Sequence, residues 1–417
     1  MVPKPTDIDL DLFASDIPRG QISMVFDFDS LRRWPEPESE NLQAHDATDE
    51  LLLDAAEVLG AFTHAPIDGP LKVVALNDNF GALALPIQQF ADKGALPWRI
   101  TSWNDSLSRE QASNSNAEAF GLPSPIAAQP SLLEVLSGAV VILIQAPRSQ
   151  SELRQFIQAI HSAAHPNALV LIGARLKYLT PSVNDILGEY FTALRASRAR
   201  SKSRVIVARG KKPTSTAESA FPLHATAKDL AGVPLQLASY GATFGGTNID
   251  PGTRFFLETL PRKFSERASI TNSIVDLGCG NGTISSYVPL KFKEFVGTMI
   301  ATDSSRDAVA ATAETAKRNG VDSRVDVIRD DAMSTFAPAS QDLILLNPPF
   351  HVGNTVDPQI ALKLFRASAR VLTQGGELWC VWNSHLQYKR ELNRIVGPTT
   401  EVARNRKFTV TRSVRQG

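Results

Sequence analysis

The chain has 417 residues, 43% hydrophobic and 21% charged, with 43 Lys/Arg balancing 43 Asp/Glu. These values are ordinary for a globular protein, and the length argues for two domains or one large one. No apolar run approaches the roughly 20 residues that span a bilayer, so no membrane-spanning helix and no membrane partner is expected. The N-terminus, MVPKPTDIDLDLFASD, lacks a basic segment followed by an apolar one, so no signal peptide is expected and the location is read as cytoplasmic. Cys279 and Cys380 show neither metal spacing nor a disulfide framework; they read as reduced thiols, and no metal is expected.

Residues 1–60 hold 14 Asp/Glu against 4 Lys/Arg, a net of −10, which leaves +10 for the remainder. This segment reads as an acidic extension, and the mildly basic body suits a polyanionic partner. Next come LKVVALNDNFGAL (71–83), a strand into a turn, and WRITSWNDS, a strand followed by a helix and FGL. AVVILIQAPRS is a buried strand ending at Gln145. The densest basic run, Arg195 to Arg204, precedes the strand VIVAR and reads either as a solvated helix end and loop or as a phosphate contact. A polar, Pro- and Ser/Thr-bearing stretch then marks a linker, placed at 213–236.

The second half repeats the first with sharper motifs. NSIVDLGCGNG (272–282) is an apolar strand entering a Gly-rich turn. A strand ending at Asp303 leads into an Ala-rich helix closed by Asn319-Gly320. RVDVIRDDA ends in acids, and LILLNPPFH (343–351) is a buried strand stopped by two prolines. A helix, a Gly-Gly turn and a fifth strand follow. Leu76 to Gln145 spans 69 residues and Leu277 to Asn347 spans 70, and SRVIVARG is matched by KFTVTRSV. The expected fold class is therefore α/β, with two tandem Rossmann-like, doubly wound domains at 61–212 and 237–417. The first copy is degenerate: Asp276, Gly278 and Gly280 are replaced by Ala75, Asn77 and Asn79, and only Gly81 persists opposite Gly282.

The D-x-G-x-G-x-G turn, followed by acids at two successive strand ends, resembles the class I methyltransferases that use S-adenosylmethionine. The resemblance implies that Asp276 lies near the amino-acid end of the cofactor. Gly278, Gly280, Asn281 and Gly282 line it, Asp303 binds its ribose, and Asp331 meets its adenine. YGATFGGTNIDPG (240–252) resembles a segment that closes over the cofactor in one subgroup, with Phe244, Asp250 and Gly252 at the matching points. The N-P-P-F motif implies methylation of an amino group. Asn347 and the Pro348 carbonyl would accept the hydrogens of the amine, Pro349 would stiffen the loop, and Phe350 would stack a splayed-out base. A positioning role for His351 stays open.

The whole chain resembles the two-domain ribosomal RNA guanine-N2 methyltransferases, and NDNFGAL, QAPRS and NALVLIGARLKYLTPS point to the enzyme type acting on the large-subunit (23S) RNA. The expected partner is ribosomal RNA or a ribosomal particle, bound in part by the N-terminal domain, and a monomer is expected. Small-subunit (16S) RNA is the alternative target. DNA adenine-N6 methylation, protein glutamine-N5 methylation and non-catalytic RNA binding are further alternatives.

Overall fold

The computed structural model describes residues 13, 16–36, 38, 42–63, 69–126, 131–213, 220–230, 232–264, 273–295, 297–349 and 358–416. The chain divides into two compact units, 1–220 and 221–417.

In the first unit, strands β1 (Leu71–Leu76), β2 (Trp98–Trp103), β3 (Val141–Gln145), β4 (Leu169–Arg175), β5 (Phe191–Ala196) and β6 (Ser203–Lys211) form one sheet in the order β2-β1-β3-β4-β6-β5. β1 to β4 pair in parallel, and β6 runs antiparallel to β4 and β5. Every residue of β3 is buried, as an apolar run sandwiched between helical layers must be.

The second unit opens with a hairpin, β7 (Leu223–Leu230) and β8 (Val233–Ser239). Its sheet contains β9 (Ser273–Leu277), β10 (Thr298–Asp303), β11 (Val325–Arg329), β12 (Gln341–Leu346), β13 (Leu372–Asn383), β14 (Thr399–Arg404) and β15 (Phe408–Val414). The order is β11-β10-β9-β12-β13-β15-β14, with β15 antiparallel to both neighbours. With β11 removed, the two sheets match strand for strand. Where the second unit has β11, whose end carries Asp330 and Asp331, the described residues of the first show a single parallel bridge, Ile126 to Ser102.

The registers fix residue equivalences between the units. Leu76 lies opposite Trp103 and Ile144, and Leu277 lies opposite Thr302 and Leu346. Asn104 therefore stands where Asp303 stands, and Gln145 where Asn347 stands.

Two expected boundaries change. The acidic extension is not an appendage. Helix Ala47–Val58 begins on a capping box made by Asp46 and Asp49, and its Leu51, Leu52 and Leu53 are fully buried in the core of the first unit. Asp54, also fully buried, accepts from Gly20 N and Ser23 Oγ and pairs with Arg200, while Glu57 accepts from Gln21 N and Ile22 N. These four acids are structural, and the helix Ala47–Val58 belongs to the domain. The linker shrinks as well, because the β7–β8 hairpin is part of the second unit. Ala238 N donates to Thr315 Oγ1 (3.0 Å) on the helix Arg306–Arg318, and Asn319, the C-cap of that helix, exchanges bonds with Gln236. An apolar strand pair finds burial on that helix that a linker would not supply.

Candidate active site

The strand order of the second sheet reverses between β9 and β12. Loops leaving the C-terminal ends of two such strands open a crevice, the usual ligand position in a doubly wound sheet. The Gly-rich turn leaves β9 and the Asn-Pro-Pro turn leaves β12.

Gly278, Gly280 and Gly282 all take positive φ, at 79°, 56° and 76°. A Cβ on Gly278 or Gly280 would meet nothing within 4 Å, whereas one on Gly282 would lie 2.9 Å from Thr312 Cα. The first two glycines leave room at the crevice; the third lets the helix Arg306–Arg318 pack closely. Gly81 repeats this packing role, with its Cβ position 2.9 Å from Ser113 Oγ on the helix Leu107–Ala119. Its persistence in the degenerate copy follows from packing, not from ligand contact.

Asp276 is fully buried. Its Oδ2 accepts from Ser285 Oγ, and its Oδ1 has no partner among the described residues. Burial pushes its carboxyl up to about 7; the Ser285 hydrogen bond opposes that rise, and Asp303 adds to it. An unpartnered buried acceptor of this kind fits a ligand that brings an amino group. Asp303 accepts from Gly280 N (3.1 Å) and Ser305 N (3.0 Å), which aims it at the glycine turn. Asp330 is taken up within its own turn, accepting from Ser334 and Thr335. Asp331 is the half-buried acid of the pair, and Lys363 neutralises it.

Asn281, expected to line the cofactor, uses its side chain elsewhere. Its Nδ2 donates to Gly246 O (2.9 Å) and Asn248 O (3.0 Å), and its Oδ1 accepts from Thr283. It ties the segment 240–249 to the glycine turn. Asp307 holds the same segment from the other side, accepting from Ala242 N at 2.8 Å. Phe244 sits on this doubly anchored segment and is 64% exposed.

Asn347 is the best-defined side chain of the second turn. Its Nδ2 donates to Asp250 Oδ2 (3.0 Å) and to Thr253 Oγ1 (2.8 Å). A carboxylate only accepts, so the amide must turn its NH2 toward Asp250. That leaves Oδ1 buried and without a partner among the described residues. Asp250 is also the N-cap of the helix Pro251–Lys263, accepting from Thr253 N at 2.9 Å. Pro348 is buried and Pro349 exposed. Phe350 and His351 lie outside the described residues. Thr253, Asp307 and Lys363 were missed by sequence reasoning. In unit one, Gln145 Nε2 donates to Asp49 Oδ1 (3.2 Å), and Asp49 is the third residue of its helix, as Thr253 is of its own. The duplication thus reaches back to Asp46.

The cofactor positions of the first unit are filled from within. Phe80 is buried under the Arg33 guanidinium, 4.6 Å from its ring centroid. Arg33 pairs with Glu36 (2.9 Å), Arg109 donates to Asn77 Oδ1 (3.1 Å), and Asn104 turns its amide onto Asp78 O (3.1 Å).

Comparison with known proteins gives the same division. Residues 21–212 match the RLMG N-terminal domain, and residues 234–412 match the methyltransferase small domain. A ribosomal RNA large subunit methyltransferase G from Stutzerimonas stutzeri is 32% identical over 92% of this chain and 96% of its own length. The chain belongs to the ribosomal RNA large subunit methyltransferase G family. A relative of that name from Pseudomonas syringae pv. syringae is 31% identical over 91% of this chain and 96% of its own. Among solved structures, the T. thermophilus 16S rRNA N2 methyltransferase RsmC, determined in complex with AdoMet and guanosine, superposes with a TM-score of 0.65. It covers 89% of this chain and 92% of its own at 18% identity, so both share the two-domain α/β fold. Among the described residues no group of His, Cys, Asp or Glu suits a metal ion, and no helix is long and apolar enough to cross a membrane.

Proposed function

We propose that this chain transfers a methyl group from S-adenosylmethionine to the exocyclic N2 of a guanine in large-subunit (23S) ribosomal RNA. The observation that carries this reading is Asn347, whose amide is locked by Asp250 and Thr253 so that Oδ1 is left as an acceptor. The name carried by the full-length relatives supports the large-subunit RNA over the small.

The residues of the glycine turn suit S-adenosylmethionine. Asp276 would take its amino group, Asp303 the ribose hydroxyls and Asp331 the adenine amine, with Gly278 and Gly280 allowing close approach. When bound, the cofactor supplies an electrophilic methyl on a sulfonium.

The guanine N2 lone pair is delocalised into the ring, which makes it a weak nucleophile. Asn347 Oδ1 and the Pro348 carbonyl accept its two hydrogens and draw the nitrogen toward a tetrahedral shape. Among the described residues the Pro348 carbonyl accepts no other hydrogen bond. Both acceptors are fixed before substrate arrives, by Asp250 and Thr253 for the side chain and by the proline pair for the backbone. The proton leaves after the nitrogen is alkylated, so no charged base is required. Phe350 stacks the extruded base. Every group in this scheme comes from residues 221–417 of one chain, which suits a monomer.

Purified protein, labelled S-adenosylmethionine and unmodified large-subunit RNA provide the test. Digestion should release labelled N2-methylguanosine; label on adenine, or on the small-subunit RNA alone, would overturn the reading.

A further inference from the structure

The basic run Arg195–Arg204 is partly engaged within the first unit. It forms the end of β5 and the turn into β6, not a helix end, and Arg200 is tied to buried Asp54 while Arg198 lies 3.7 Å from Asp16. Lys211 and Lys212 donate their ammonium groups to the carbonyls of Ala164 and Gly188. A different cluster lies at the C-terminal edge of the same sheet. The Arg148 guanidinium stands 5.0 Å from the Tyr178 ring centroid, and Lys177 Nζ stands 4.7 Å from it. Arg148 and Lys177 are exposed, Tyr178 is half-buried, and Leu176 beside them is 41% exposed. Arg175 closes β4 immediately before them. Among the described residues none of these three cations has a carboxylate partner, unlike Arg154, Arg198 and Arg200 in the same unit.

We infer that Arg148, Arg175, Lys177 and Tyr178 form a binding surface for unpaired RNA. The inference rests on the proposed RNA substrate and adds where the first unit grips it. Tyrosine and guanidinium each offer a flat face on which a base stacks, and unneutralised cations around them meet the phosphates. The position fits as well. These residues follow β3 and β4, and Arg148 comes three residues after Gln145 as Phe350 comes three after Asn347. The edge that holds chemistry in one copy carries cations and an aromatic ring in the other, while its cofactor positions are filled by Phe80, Arg33 and Arg109. The Tyr178 phenol is drawn below its usual range, first by the Lys177 ammonium beside it and then by the Arg148 charge, as expected where positive potential concentrates.

The test is binding of the full chain to deproteinised large-subunit RNA across a salt series. Tyr178→Ala should weaken binding about ten-fold, and Tyr178→Phe, which keeps the ring, should stay within about two-fold of wild type. Arg148→Ala with Lys177→Ala should reduce the salt slope by about 1.4, roughly 0.7 for each lost single-strand phosphate contact. S-adenosylmethionine affinity should not change, because the three side chains belong to the first unit and the cofactor residues to the second. RNA binding equal to wild type across the series would overturn the inference. So would unchanged RNA affinity with lost methylation of assembled particles, which would assign the surface to a ribosomal protein. A wild-type chain that binds the RNA through these residues without methylating it would contradict the proposed function alone.

Discussion

Thr253→Val separates positioning of Asn347 from everything else the helix Pro251–Lys263 does. The substitution keeps the shape of a side chain that is 7% exposed and removes the hydroxyl that accepts from Asn347 Nδ2 at 2.8 Å. The Thr253 backbone N–H still donates to Asp250, so the helix cap survives. Asn347 then keeps one of its two amide partners, and its second N–H loses its acceptor in a partly buried place. A lost hydrogen bond of this kind is worth about 1–1.5 kcal/mol, or roughly ten-fold in rate if the amide orientation matters only in the transition state. Asn347→Ala removes the acceptor itself and should cost about 10²–10³ in rate, as for loss of one preorganised hydrogen bond to a reacting group. Single-turnover methyl transfer to RNA at saturating S-adenosylmethionine is the assay, with cofactor affinity measured alongside and expected to hold. In the Asn347→Ala background, Thr253→Val should have almost no further effect, because its role runs through the missing amide. Additive losses in the double variant would refute the positioning argument.

Other outcomes follow from the same geometry. The full chain should bind one S-adenosylmethionine, and Asp303→Ala should abolish calorimetric binding rather than reveal a second site, since Phe80, Arg33 and Arg109 fill the first unit. Cofactor affinity should depend on pH through Asp276, whose folded carboxyl sits at about 7. An incoming amino group needs the ionised form, so affinity should rise about ten-fold from pH 6 to pH 8 and level off above; Asp276→Asn should weaken binding and remove the dependence. Gly282→Ala should lower the melting temperature more than Gly278→Ala, because both carry the left-handed backbone cost but only the former meets Thr312 Cα at 2.9 Å. Differential scanning fluorimetry that ranked them the other way would contradict the packing role. Arg200→Ala should destabilise the chain by about 1.5–3 kcal/mol by depriving buried Asp54 of its charge partner.

The parts of the site legible in the sequence are those where covalent structure constrains the backbone locally. Glycines that permit positive φ, prolines that stop a buried strand, and acids at strand ends can each be read within a few residues. The duplication was legible for the same reason, because strand lengths and their spacing survive when ligand residues do not. The support for Asn347 was not legible. Asp250 and Thr253 lie 97 and 94 residues away in the chain, and no local pattern announces that they converge on it. Charge composition misled at the N-terminus. Asp46, Asp49, Asp54 and Glu57 read as part of an acidic extension, yet they cap a helix, meet backbone N–H groups or pair with Arg200. The run around Arg200 looked uniform in sequence, yet its central cation pairs with that buried acid. Asn281 looked like part of the cofactor turn because it lies within it; only the folded chain shows its amide reaching across to Gly246 and Asn248.

The central claim is that Asn347 and its turn methylate a guanine N2 in large-subunit RNA. The most direct measurement maps N2-methylguanosine across ribosomal RNA from cells with and without this gene, complemented by wild type or by Asn347→Ala. The account predicts that one large-subunit mark disappears on deletion, returns with wild type and stays absent or nearly so with Asn347→Ala. An unchanged large-subunit map, or full restoration by Asn347→Ala, would contradict it.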